Sequence, residues 1–165
     1  QSISKKNTDE MKDSHAILNE METKGVPDFN LPNLQGESFQ FSSTKGKIVI
    51  LNFWATWCAP CVTEFPSMLK LMQKYGDDMI LVAVSADDSK EDIADFLKAY
   101  EPVPSNVKIL WDPKKTVIER QFKSDRLPES FLISKKGMLI RKIAGAEDWG
   151  SAMSFEFFAD LIKNH

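Results

Sequence analysis

Cys58 and Cys61, two residues apart in the run Trp57-Cys58-Ala59-Pro60-Cys61, are the only cysteines among 165 residues. Two thiols at that spacing can close a disulfide and reopen it, carrying two electrons. Positions three apart on a helical turn share a face, so the sulfurs come within bonding reach. An apolar run ends at Trp54 and a helical pattern begins at Cys61, which puts Cys58 just before a helix. A helix N-terminus offers unpaired backbone N–H groups and a partial positive charge. Both stabilise a thiolate, so the Cys58 pKa is expected below that of a free thiol. Pro60 suits the helix start because it has no N–H to leave unpaired. Trp54, Trp57 and Pro60 are expected to form an apolar rim around the sulfur. Two alternatives meet specific obstacles. Inert core cysteines do not call for the strand–CxxC–helix setting of a redox dithiol. A zinc site needs more ligands than these, and the only histidines, His15 and His165, lie near the two ends. No metal and no cofactor is expected.

The elements that must hold this pair follow from hydrophobic periodicity. Lys47 to Trp54 is a nearly continuous apolar run, the mark of a central strand buried on both faces. Phe65, Met68, Leu69 and Met72 recur at helical spacing between Cys61 and Tyr75, and Met79 to Val84 is a second buried strand. Strand, helix, strand makes a βαβ unit with parallel strands. Upstream, residues 29–31 and 38–41 alternate as a hairpin. Downstream, a helix is expected over 89–100, with Ser89 and Asp92 as a capping pair. A strand follows over 107–111. Another helix is expected over 113–122, capped by Asp112 with Pro113 at its first position. An antiparallel hairpin over 130–134 and 138–143 turns at Lys135-Lys136-Gly137. A last helix runs over 151–163. The fold class is α/β: a central mixed sheet flanked by helices, with an N-terminal hairpin. Residues 1–24 read as a polar leader or tether, with a docked amphipathic helix as the alternative. Gly25-Val26-Pro27 marks the start of one domain over 25–165.

Composition narrows the function. The net charge of −3, with acids and bases mixed, offers no basic stripe for nucleic acid. No apolar run approaches a membrane span. The chain begins at Gln1, and the missing signal peptide does not establish a cytoplasmic home.

The run Asn52-Phe53-Trp54-Ala55-Thr56-Trp57-Cys58-Ala59-Pro60-Cys61, followed by Glu64-Phe65-Pro66, resembles the thioredoxin superfamily. More narrowly it is similar to the TlpA/ResA branch of extracytoplasmic thiol–disulfide oxidoreductases, from about residue 26 to the end. The resemblance covers the leading hairpin and an inserted helix and strand. It implies Cys58 as a surface-exposed attacking thiol and Cys61 as the resolving one. It also implies a secreted or membrane-tethered bacterial protein, monomeric, that reduces protein disulfides. Apocytochrome c is one such substrate, and an upstream, membrane-bound thiol donor would supply the electrons. A cis-proline facing the disulfide is a family feature, and Leu127-Pro128-Glu129-Ser130 occupies that place. Without the family, Pro128 would read as an ordinary trans proline before a strand. Leu127 stands where Thr, Val or Ile is usual and Arg126 where Gly is frequent, which bears on partner preference. Trp57, Pro60 and Leu127 are the expected substrate contacts.

Thioredoxin has a buried Asp six residues before its first cysteine; this chain has Asn52, which cannot exchange a proton. Glu64, one helical turn past Cys61, is the candidate acceptor, and the branch often carries an acid there. Desolvation would raise its pKa. The alternative is a solvated acid favoured by the helix dipole. Pro66 is expected to kink the helix. Met68, Met72, Met79 and Trp111 read as core, and Asp87 and Asp88 as a strand end in solvent. Other functions stay open: an oxidant or isomerase, against which the absence of His in Ala59-Pro60 argues; a peroxidase, which lacks the proline framing its cysteine; and a redox-responsive binding module without turnover.

Overall fold

The computed structural model describes residues 14–165. Its centre is strand β3 (Ile48–Trp54), all seven residues of which are buried. β-branched and aromatic side chains on both faces suit a strand covered on both sides. β4 (Met79–Ser85) runs parallel to it and β6 (Glu129–Ile133) antiparallel. β5 (Val107–Trp111) extends the sheet beside β4, and β7 (Leu139–Ala144) beside β6, giving the order β5-β4-β3-β6-β7. The leading hairpin, β1 (Asn30–Pro32) and β2 (Ser38–Gln40), forms its own two-stranded sheet. It touches the main sheet through a bridge between Asn33 and Leu110.

Alternation along β3 sorts the core into two layers. Asn52 and Trp54 face helix α2 (Ala59–Lys74), where Trp54 stacks on Phe65 at 5.6 Å. Phe96 and Tyr100, from α3 (Lys90–Leu97) and the turn after it, close on Phe65. Helix α4 (Ala152–Asn164) packs against α2 through Phe155 and Tyr75. On the other face Phe53 and Phe131 meet Phe122, which in turn meets Phe29 of the hairpin segment. Removing a ring such as Phe53, which is wholly buried, costs about 3–5 kcal/mol. Met68, Met72 and Met79 are core, as expected.

Four details differ from the sequence reading. The leader or tether expected over 1–24 is helical over 14–24 (α1), with Met21 buried; residues 1–13 lie outside the described residues. Burying Met21 and half-burying Ile17 and Leu18 is what the docked-helix alternative requires. The helix expected over 113–122 is a single π turn, Thr116–Gln121. Lys115 at φ +56° interrupts the chain before it, and Asp112 caps the later start, accepting from the N–H groups of Thr116, Val117 and Ile118. Ser89 is the N-cap residue of α3 but makes no capping bond; its hydroxyl donates to exposed Glu91 instead. Pro66 lies inside α2, which runs unbroken from 59 to 74.

Candidate active site

Residues 55–58 join β3 to α2 in a tight turn closed by the Cys58 N–H donating to the Ala55 carbonyl at 3.2 Å. Cys58 is the N-cap of α2, and Pro60 stands in its first turn. Cys58 and Cys61 are joined as a disulfide, with their Cα atoms 5.3 Å apart. The Cys61 N–H points at Cys58 Sγ, 3.4 Å away. A sulfur in the N-cap position thus receives one of the helix's unpaired donors, the arrangement that stabilises a thiolate.

The surroundings of the two sulfurs differ. Trp57 is 69% exposed, and Ala59 and Pro60 are also exposed. Trp54 is not part of this rim: it is buried in the aromatic layer beneath. Cys58 is 7% exposed and Cys61 2%. The order is the expected one, but with the disulfide closed Cys58 is far from a surface-exposed thiol.

Behind Cys61, one turn along α2, Glu64 is 3% exposed. Glu64 Oε1 accepts from Asn52 Nδ2 at 3.1 Å, and Asn52 also donates to Ser130 Oγ at 2.9 Å. Glu64 Oε2 accepts from the Trp149 indole N–H and the Glu147 backbone N–H, both at 3.0 Å. Burial pushes the Glu64 carboxyl above its ordinary value; the hydrogen bonds from Trp149, Glu147 and Asn52 oppose this only in part. Burial also rules out the solvated-acid alternative for Glu64. Asn52, which cannot itself take up a proton, serves as a donor that fixes the carboxylate against the sheet.

The Leu127–Pro128 bond is cis. Register places Phe53 opposite Glu129, so Pro128 lies one position further, at the end of β3 that leads to Cys58. Pro128 is buried and Leu127 half-buried against the core. Glu129, next along, is also buried; its carboxylate pairs with Lys142 Nζ at 3.1 Å and accepts from Ser124 Oγ. That ties the loop before Pro128 to β7.

Sequence reasoning did not find Trp149 or Glu147 as partners of Glu64, nor Ser130 as the partner of Asn52. The one usable signal was Trp149 itself, a large apolar residue in the otherwise polar stretch Glu147-Asp148-Trp149-Gly150. Asp87, expected at a strand end in solvent, is instead buried at 1% exposure. Its carboxylate is taken up by Thr56 and Ser85, while Asp88 beside it is exposed.

Residues 23–142 match the AhpC/TSA family. The chain belongs to the AhpC/TSA family of thioredoxin-like proteins. Among family relatives, it is 36% identical over 128 residues to a protein named thiol–disulfide oxidoreductase ResA of Bacillus cereus, covering 75% of this chain and 70% of that one. The crystal structure of a DsbE-type thiol:disulfide interchange protein from Chlorobium tepidum superposes with a TM-score of 0.71 at 32% identity. That match covers 83% of this chain and 95% of the other. A pneumococcal exposed lipoprotein thioredoxin from Streptococcus pneumoniae gives a TM-score of 0.65 at 25% identity, over 84% of this chain and all of the other. With the Cys58–Cys61 pair at the start of α2, the chain is a thiol–disulfide oxidoreductase with a thioredoxin-like fold.

Proposed function

We propose that the protein acts as a reductant of disulfides in exported proteins, outside the cytoplasmic membrane, with apocytochrome c among its substrates. The observation that carries this reading is the closed Cys58–Cys61 pair at a helix start with the raised-pKa carboxyl of Glu64 one turn behind it. In the reduced protein the Cys58 thiolate attacks one sulfur of a substrate disulfide. A mixed disulfide forms, and the other substrate sulfur leaves as a thiolate. Glu64 accepts the proton of Cys61, whose sulfur then attacks Cys58. The two substrate thiolates take one proton back from Glu64 and one from water and depart as a dithiol, and the Cys58–Cys61 disulfide remains, two electrons poorer. An upstream thiol donor, membrane-bound in this reading, restores the dithiol by the reverse exchange.

Trp57, Pro60 and Leu127 offer the apolar contacts to an extended substrate, and the backbone at Leu127 adds hydrogen bonds in the manner of strand addition. The location outside the membrane draws on the likeness to an exposed lipoprotein thioredoxin. Ala59-Pro60 between the cysteines, without the His of strong oxidants, favours the reducing direction.

The test uses Cys61→Ala, which leaves the attacking thiol and removes the resolving one. Incubated with an oxidised apocytochrome c peptide, this variant is expected to accumulate a mixed disulfide at Cys58, and the unmodified reduced chain to release the peptide as a dithiol. No adduct with that peptide, alongside a normal adduct with insulin, would remove apocytochrome c from the proposal. Net oxidation of a reduced peptide by the disulfide form, against a glutathione buffer, would reverse the proposed direction.

A further inference from the structure

Beyond Ser85 the parallel strands β3 and β4 part, and the last ladder bond is the Ala86 N–H donating to the Trp54 carbonyl at 2.8 Å. The register pairs Trp54 with Ser85, so two steps further Thr56 comes level with Asp87. There the backbone ladder is replaced by a side chain. The Thr56 N–H donates to Asp87 Oδ2 at 3.0 Å, and the Thr56 hydroxyl to Asp87 Oδ1 at 2.6 Å. The Ser85 hydroxyl donates to Asp87 Oδ2 at 2.5 Å and accepts from the Asp87 N–H at 2.9 Å. The Trp111 indole N–H holds the Asp87 carbonyl at 2.7 Å, from edge strand β5. Asp87 is buried and fully occupied, and none of these bonds belongs to the mechanism above.

Thr56 is the second residue of the four-residue turn that ends on Cys58. Among the described residues, Asp87 is the only side chain that hydrogen-bonds the stretch 55–57. The apolar neighbours of that stretch anchor Trp54 and Ala55 but leave Trp57 in solvent. We infer that Asp87 is a positioning residue for the exchange reaction: through Thr56 it sets the turn that holds Cys58 Sγ against the N-terminus of α2. A buried carboxylate receiving two bonds from one residue fixes both the peptide plane and the side-chain rotamer of Thr56. With Thr56 fixed, the next two residues have little freedom before the helix begins, and the Cys61 N–H meets the sulfur at 3.4 Å. If the bond to Asp87 is lost the turn can tilt, the sulfur drifts from that donor, and the thiolate loses stabilisation.

This inference rests on Cys58 as the attacking thiol, and the experiment separates the two ideas. The reduced full chain is alkylated with iodoacetamide at fixed pH 7, and the rate and site of labelling are read by mass spectrometry beside the melting temperature. Thr56→Val keeps the shape of the side chain and leaves Asp87 in place, but removes the hydroxyl. It is expected to slow Cys58 labelling by about threefold, while Thr56→Ser, which keeps the hydroxyl, restores the original rate. In an Asp87→Asn background, Thr56→Val is expected to change the rate no further, because the two side chains act as one unit. A Thr56→Val protein that melts lower yet labels at the original rate would overturn the positioning role and leave Asp87 a stability residue. An equal slowing by Thr56→Val in both backgrounds would overturn it too. Should Asp87→Asn fail to fold, the Thr56→Val and Thr56→Ser pair decides alone. Labelling at Cys61 instead of Cys58 in the unmodified chain would sink the attacking-thiol assignment and the positioning role with it.

Discussion

The disulfide divides its surroundings into two unlike halves. Outside Cys58 stand Trp57, Ala59 and Pro60, exposed and apolar, with no side-chain hydrogen bonds among them. Inside Cys61 lie Glu64, Asn52, Ser130 and Trp149, all buried and joined by bonds of 2.9–3.1 Å. A surface that makes no internal commitments can accept partners of differing shape. A buried carboxylate, by contrast, is tolerated only when its oxygens are satisfied, and that satisfaction fixes its position and its proton affinity. In the proposed function the outer half is therefore the one that would bind and the inner half the one that would move a proton.

The sharpest way to break this division is to exchange the roles of the two sulfurs. Cys58→Ser is expected to abolish disulfide reduction altogether, whereas Cys61→Ala keeps the first attack and stops after one event. Insulin reduction and adduct formation measure the two steps separately. Adducts on Cys61 in the Cys58→Ser protein would show that the inner sulfur also meets partners.

Next in size is Glu64→Gln, which keeps the shape of the inner half and removes its titration. Exchange is expected to slow by about a hundredfold, the low end of what a positioned acid–base group contributes. Stability carries a second signature. The folded protein binds the Glu64 proton more tightly than the unfolded chain does, because burial raises its pKa above 4.5. Glu64 therefore adds most to stability below that value and loses its contribution as pH rises through the folded pKa. The stability gap between the unmodified chain and Glu64→Gln should be widest near pH 4 and shrink toward neutrality, as urea titrations at several pH values would show. A gap independent of pH would mean that the carboxyl titrates as it does in water.

Trp149→Phe is a smaller change to the same half. It leaves the ring and deletes one donor to Glu64 Oε2, with the Glu147 N–H remaining. The expected cost is about 1.5–3 kcal/mol in stability, for one bond to a buried charged group. Because that donor holds the Glu64 pKa down, its loss should also move the pH profile of exchange upward. A profile that stays in place would detach Trp149 from the proton-handling half.

The two halves were not equally readable in the sequence. The outer one is local: Trp57, Cys58, Pro60 and Cys61 lie within five residues, and the helix start follows from the apolar runs on either side. The βαβ frame was equally plain, since β3 and β4 are continuous apolar runs and α2 repeats at helical spacing. The inner half is assembled from far apart. Glu64 meets Trp149 across 85 positions and Asn52 meets Ser130 across 78. Periodicity says nothing about which polar residues meet across such loops. The same blindness put Asp87 in solvent, because an Asp-Asp pair after a strand looks like its end. It also missed the π turn, where a left-handed Lys115 overrides a good helix cap at Asp112.

The mildest test concerns the outer half alone. Trp57 is 69% exposed, so Trp57→Ala should leave the melting temperature nearly unchanged, within about 0.5 kcal/mol of stability. Trp57 nonetheless directly precedes Cys58, and in the proposed function it would be covered whenever an extended substrate docks at that sulfur. Losing that contact is expected to raise KM by about threefold to tenfold, or ~0.7–1.4 kcal/mol of binding, and to leave kcat unaltered. Leu127→Thr should act in the same direction and more weakly, since Leu127 is already half-buried against the core and offers less surface to a partner. The informative outcome is the split between KM and kcat. An effect confined to KM keeps Trp57 on the binding side of the division. A fall in kcat with KM unchanged would mean that the exposed ring governs the chemical step, for instance by shielding the Cys58 thiolate from water. The outer half would then share the work assigned to the inner one.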